Sequence, residues 1–399
     1  MFQSRKVRLK LNQRQKELVT KNFGASRFIW NWGLEQLNKW WEENKDLDKS
    51  ERTKRPTAFY LAKQLVKLKA TEEYAWLKDC DSTISQHSLK ALEEAFQRFW
   101  KGVTKHPKFK SKKNSKQSYT TSTDCAPKLF DDNHLTLPKL GKVKFYNRGY
   151  IPNVKLKRAT ISFDGEHYYC SVLFEAPVED WGKAEGIIGI DLGVKTTATC
   201  SNGQTFDWKP SKRAERRIKI SQRAKARTQK TSKRRAKARL KLARRYRRVA
   251  NQHKDFLHKM TTKLVCENQT IRMEDLNTKG MMKNRNLSRV VGQQSFYEIK
   301  RQLEYKCQWH DREFQVVDKF FPSSQLCSKC GARNNAMKDL SKRKFICPEC
   351  NFSIDRDLNA AINIRTARPA GNYARRDWSS VKEGKSLYSH SQSLKRELQ

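Results

Sequence analysis

Residues 1–10 (MFQSRKVRLK) alternate basic and apolar side chains, which predicts a short strand. Asn12 can then cap a helix running toward Gly24. A second helix is predicted from Ala25, because Trp30, Leu34, Leu37 and Trp41 recur at i, i+4, i+7 and i+11. Leu89, Leu92, Phe96 and Phe99 repeat the helical period and stop at Gly102. Residues 11 to about 103 therefore read as a helical unit with a polar loop at 45–56, and its aromatics are assigned to the core. A basic connector, 106–113 (HPKFKSKK), closes it.

The pattern then changes to period two. Residues 117–123, 134–147 and 154–177 read as strands, with Asp164-Gly165 as a hairpin turn. This β-unit is expected to be a small barrel that the strand at 3–10 joins. From Gly186, GIIGI is a buried strand ending in Asp191, LGVKTTATC a second strand, and Asn202-Gly203 a turn. Residues 211–249 form a long basic helix, with a candidate break near 228–232. A strand at 269–275 (QTIRMED), a helix around 293–310, a strand at 313–321 (EFQVVDKFF) and a helix at 358–364 follow. Past 369 the chain is polar, with Pro, Gly and many Ser, and reads as disordered.

Composition names the partner class. The 399 residues carry 85 Lys+Arg against 41 Asp+Glu, a formal charge of +44. Such an excess opposes compaction unless a polyanion neutralises it, so nucleic acid is expected. The charge concentrates at 211–249, where 19 Lys/Arg face one acid, Glu215. A charge run is usually a solvated face, but this density favours phosphate contact. The candidates are Arg234, Arg235, Arg239, Arg244, Arg245 and Arg248, joined by Lys108, Lys110 and Lys112 of the connector. There is no signal peptide, lipidation motif or apolar run near 18 residues, so no membrane partner and a cytoplasmic location are expected. Cys80, Cys125, Cys170, Cys200, Cys266 and Cys307 are scattered singly, which suits reduced thiols better than a disulfide framework.

Two constellations carry chemistry. Cys327, Cys330, Cys347 and Cys350 form two C-x2-C pairs sixteen residues apart, the spacing of a zinc ribbon in which two knuckles give four thiolates to one Zn²⁺. Asp191 after one strand, Glu274 at the end of a later one and Asp357 at the head of the last helix are three carboxylates on one α/β unit. Converging carboxylates repel unless cations lie between them. Two Mg²⁺ ions meet that need, one activating water and one stabilising the leaving oxygen. Alternatives stay open for each acid. Asp275 rivals Glu274, which is otherwise a strand-end carboxylate beside Arg272. Asp355 either replaces Asp357 or caps the last helix. GIDLG also resembles the first loop of sugar-kinase and chaperone ATPases, but no second Gly-rich phosphate loop follows.

Taken together, GIDLG, MEDLN (273–277), SSQLCSKCG (323–331), CPEC and DRDLNAAINI (355–364) resemble the TnpB family of RNA-guided DNA endonucleases, relatives of type V CRISPR effectors. The likeness extends to 12–41, HPKFKSKK and LTLPKLGKVKF (135–145), covering about residues 1–366. It implies a multidomain α+β protein: a wedge β-barrel (1–10 and 116–183) interrupted by a helical recognition lobe (11–115), then an RNase H-like, RuvC-type α/β nuclease domain (184–322 and 355–368) with an inserted zinc ribbon (323–354) and a disordered tail (369–399). It implies catalysis by Asp191, Glu274 and Asp357 on two Mg²⁺ ions, with Mn²⁺ able to substitute, beside one structural Zn²⁺. The implied partners are a guide RNA from the transposon end and double-stranded target DNA, cut beside a short target-adjacent motif. A monomer is favoured. A compact type V CRISPR effector, a guided DNA-binding repressor and a transposition accessory protein are the alternatives. Trp309-His310-Asp311 departs from the small residues and Gly usual there, a matter of local packing.

Overall fold

The computed structural model describes residues 2–48, 50–113, 116–121, 128–146, 150–176, 181–182, 184–285, 288–318, 320–339 and 341–368. The tail expected at 369–399, Cys125, and the strand ends at 122–123, 147 and 177 lie outside them. The chain divides into two units, 1–177 and 178–399.

In the first unit β1 (Phe2–Lys10) leads into α1 (Gln13–Asn44). Asn12 caps α1: its side chain accepts from the Gln15 N–H at 2.8 Å, and the Gln15 side chain accepts from the Asn12 N–H at 3.1 Å. The expected break at Gly24 does not occur, since a lone glycine costs a helix only about 1 kcal/mol and tertiary packing outweighs it. After α2 (Ala58–Ala70) and a 3₁₀ segment (Glu72–Asp79), α3 (Thr83–Trp100) crosses α1 at Gly33. A methyl group there would meet Leu89 and Leu92. Trp30 is buried as expected, but Trp41 is 56% exposed. Helical periodicity gives the direction of a side chain and not whether a partner reaches it.

The strands are β2 (Gln117–Thr121), β3 (Lys128–Asp131), β4 (His134–Leu137), β5 (Gly141–Phe145), β6 (Leu156–Phe163) and β7 (Tyr168–Glu175). The single strand expected at 134–147 is a hairpin, turned by Lys139 (φ 62°) and Gly141 (φ 65°). The Asp164-Gly165 turn forms as expected, with the Asp164 carboxylate accepting from the Glu166 and His167 N–H groups. One antiparallel sheet results, in the order β2-β6-β7-β1-β5-β4-β3, and β1 is its centre. No ladder joins β2 to β3 among the described residues, so the expected barrel is not closed there.

The second unit holds a five-stranded sheet of β8 (Ile187–Asp191), β9 (Ala198–Cys200), β10 (Thr205–Phe206), β11 (Thr270–Glu274) and β12 (Glu313–Val317). Its order is β10-β9-β8-β11-β12: β8, β11 and β12 run parallel, and β9 and β10 pair antiparallel. Only 198–200 of the predicted LGVKTTATC strand pairs. The segment before it is held by Gln294, which donates to Val194 O and accepts from the Thr197 hydroxyl. The basic stretch is not one helix but α4 (Lys212–Ala226) and α5 (Lys233–Glu267), packed on each other. Ser232, at the expected break, caps α5. Short helices α6 (Thr278–Lys283) and α7 (Ser288–Gln294) precede α8 (Phe296–Trp309). After β12 come a two-stranded ribbon, β13 (Lys344–Ile346) and β14 (Ser353–Asp355), and α9 (Arg356–Thr366).

Candidate metal centres and basic surface

Parallel pairing sets Ile190 opposite Met273, so Asp191 and Glu274 end neighbouring strands side by side. α9 lies along β8. A methyl group on Gly189 would overlap the Ala361 carbonyl and the Arg365 N–H, so the helix backbone rests on the strand at that glycine. Asp357 is one turn before Ala361 and joins the other two acids. All three are half-buried.

Their electrostatics record the convergence. Burial pushes Asp191 up to about 7, with repulsion from Asp357 and then Glu274 adding, and Arg356 opposing. Glu274 also rises to about 7, from burial and then from Asp275. Their oxygens do not all come within 4.8 Å of one another; only the cysteine set does so among the described residues.

The rival acids are otherwise engaged. Asp275 pairs with Lys300 at 2.5 Å. Asp355 caps α9, accepting from the Asp357 and Leu358 N–H groups at 2.9 and 3.1 Å. Arg272 donates to Gln315 and to the Arg365 and Ala367 carbonyls rather than to Glu274.

The four cysteine sulfurs lie within 4.8 Å of one another, with Cys327–Cys350 at 3.7 Å and Cys330–Cys347 at 3.5 Å. A tetrahedron of Zn–S bonds near 2.3 Å has edges of about 3.8 Å, so this set fits Zn²⁺. Each knuckle ends in a left-handed residue, Gly331 (φ 78°) and Asn351 (φ 54°). The chain then folds back: Ala332 O accepts from Cys327 N–H and Phe352 O from Cys347 N–H. The Cys350 N–H donates to Cys347 Sγ and holds that thiol below its ordinary range.

Several residues that sequence reasoning missed join ribbon to helix. Asn359 accepts from the Ser328 N–H at 3.0 Å and donates to Leu326 O at 2.7 Å. Asn363 donates to Ser323 O and Leu326 O. Arg356, 6% exposed, donates to Asp339 O and Lys342 O. Two amides at i and i+4 in DRDLNAAIN, on a face otherwise of Ala and Ile, were the available signal.

The basic candidates divide. Arg235 donates to Lys225 O and Thr228 O, and Arg245 to Arg217 O, so both tie α5 to α4. Arg234, Arg239, Arg244 and Arg248 are exposed. In the first unit Lys108 and Lys112 are exposed, but Lys110 packs 3.4 Å over the Trp30 ring, and burial lowers it to about 8. Asn31 fixes the connector backbone there, donating to Lys110 O and accepting from the Lys110 N–H.

Comparison with known proteins decides the family. A protein of Streptomyces pristinaespiralis, provisionally named an RNA-guided DNA endonuclease, is 33% identical over 92% of this chain and 92% of its own length. The chain belongs to the TnpB family. InsQ of Escherichia coli K12, with the same provisional name, is 31% identical over 88% of this TnpB-family chain and 89% of InsQ. Residues 171–285 match the OrfB_IS605 model, described as a probable transposase, and 296–364 the Cas12f1-like TNB domain. A helix-turn-helix model matches 1–46, which here is a strand and one continuous helix. A Cas12f1–sgRNA–target DNA complex aligns over 92% of this chain and 98% of its own at 14% identity, with a TM-score of 0.48.

Proposed function

We propose that this TnpB-family chain is an RNA-guided, Mg²⁺-dependent DNA endonuclease encoded by an insertion sequence. The convergence of Asp191, Glu274 and Asp357 at one end of a 3-2-1-4-5 sheet carries the proposal. That strand order, antiparallel in its first three strands and parallel afterwards, supports an RNase H-like, RuvC-type domain. Three carboxylates short of counter-charge suit hard divalent cations with oxygen ligands. Bound there, Mg²⁺ would supply an activated water and a clamp on the departing 3′ oxygen. The protein's part is to hold the three oxygens in place: β8 and β11 fix two, and α9, seated on Gly189, fixes the third. Asp355 orders the first turn of α9, and Arg356 ties that turn to the ribbon.

Specificity in this proposal comes from base pairing with a guide RNA, while the protein reads backbone, shape and a short duplex motif. The exposed arginines of the α4–α5 hairpin supply phosphate contacts. The first unit would act as wedge and helical recognition lobe, and the ribbon's four thiolates would hold one structural zinc. Relatives of nearly equal length named as RNA-guided DNA endonucleases support the insertion-sequence protein over the CRISPR effector, whose Cas12f1 relative matches 55% of this chain and 44% of its own length. The test is to sequence RNA that co-purifies with the protein and challenge the complex with matching duplex DNA and Mg²⁺. A discrete RNA ending in a variable 3′ segment, and cuts only in DNA matching it, are expected. Absence of bound RNA, or cutting that ignores its sequence, contradicts the proposal.

A further inference from the structure

A cleft of about 400 Å³ opens beside Glu274, in the size range of pockets for small ligands. One wall is the chain after β11, from Asp275 to Thr278. The other is one face of α8, where Tyr297, Lys300, Arg301 and Glu304 follow at i, i+3, i+4 and i+7. Tyr297 is 68% exposed, although the preceding Phe296 is buried in the core. The cations of this face are already balanced: Lys300 pairs with Asp275 at 2.5 Å, and Arg301 with Glu298 at 2.7 Å. Leu192, Met273, Leu276 and Phe296 give the cleft an apolar share. A neutral planar group with polar edges suits such a lining better than a bare phosphate.

We infer that this cleft seats a nucleobase flanking the scissile phosphate, stacked on Tyr297. The inference rests on the endonuclease reading and adds to it a residue that positions the strand being cut. Every base offers a face for stacking, so Tyr297 would hold the strand without reading its sequence. Binding of one base in the cleft would set the adjoining phosphodiester beside Glu274. Tyr297 is a positioning residue in this scheme, and the carboxylates remain the cation-holding groups.

The test is single-turnover cleavage by the guided complex. Once the cut is mapped, targets are made with an abasic site at each flanking nucleotide. Wild type should lose about tenfold or more in rate at one of these positions. Tyr297→Ala should be slowed to a similar degree on the intact target and be insensitive to the abasic site, while Tyr297→Trp keeps both the rate and the sensitivity. Melting curves of each variant confirm folding. Tyr297→Ala as fast as wild type, or equally penalised by the abasic site, overturns this inference and leaves the endonuclease reading standing. A wild type that cuts no guided target overturns both.

Discussion

Gly189 lies so close beneath Ala361 that a single methyl group would overlap the Ala361 carbonyl oxygen. The contact seats α9 on β8 and so sets Asp357 near Asp191. Backbone on both sides leaves no flexible side chain to yield. Gly189→Ala should therefore cost more than the roughly 1–3 kcal/mol of ordinary overpacking. Thermal melting should show a loss of several degrees, with cleavage lost even where the fold survives. An unchanged Tm and rate would mean that α9 is not held here.

Zinc removal should act through Asn359. The ribbon knuckle is hydrogen-bonded to this amide on both sides, at Ser328 N–H and Leu326 O. Cys347→Ser should lose about one zinc per chain and cleavage together. Asn359→Ala should retain zinc but melt lower, losing roughly 1–3 kcal/mol of stability, because the Ser328 N–H loses its acceptor while Leu326 O keeps Asn363. Metal analysis beside melting checks both, and zinc-free protein with full activity would contradict the account.

Much of this site was legible in the chain because each element carries its own signal. An apolar run ending in Asp191, a second ending in Glu274, and thiols in pairs need no tertiary knowledge. What was not legible depends on partners. Lys110 and Arg235 look like their exposed neighbours in composition, yet Trp30 covers one and two carbonyls hold the other. Gly24 looked like a helix end, but packing of α1 carries the helix through. Asp275 was a sequence rival of Glu274, and its pairing with Lys300, distant in sequence, is invisible in the local pattern.

That division gives a salt-dependence prediction. Replacing Arg234, Arg239 and Arg248 by Ala should weaken RNA binding and reduce the log-affinity against log-salt slope by roughly 0.7 to 0.9 for each phosphate no longer neutralised. Arg235→Ala should instead lower the melting temperature, because its guanidinium closes the hairpin. Filter binding across a salt series distinguishes them, and an unchanged slope in the triple variant returns the hairpin to a solvated face.

Stability without divalent cations should fall as pH rises. A carboxyl held up to about 7 in the fold favours its protonated form there. The stability it contributes is complete below the ordinary carboxylate range near 4 and is lost as pH climbs through about 7. Asp191→Asn removes that titration. In EDTA the variant should gain on wild type between pH 5 and 8, by a few degrees in Tm and at most about 3 kcal/mol. Mg²⁺ should raise the wild-type Tm more at pH 8 than at pH 5.5. Parallel wild-type and variant curves would show that Asp191 does not titrate as described.

The most direct measurement separates binding from bond breaking. Asp191 faces the cations in this account and not the guide or the target bases. Guided complexes of wild type and Asp191→Ala should bind matching duplex DNA within a few-fold of each other, while the variant cuts neither strand. EDTA should reproduce the variant's behaviour on wild type, and added Mg²⁺ should restore wild type alone. Glu274→Gln should match the variant, and Asp275→Asn should keep partial activity. Cleavage by Asp191→Ala at a rate near wild type would contradict the account, because the chemistry would then lie away from these three carboxylates.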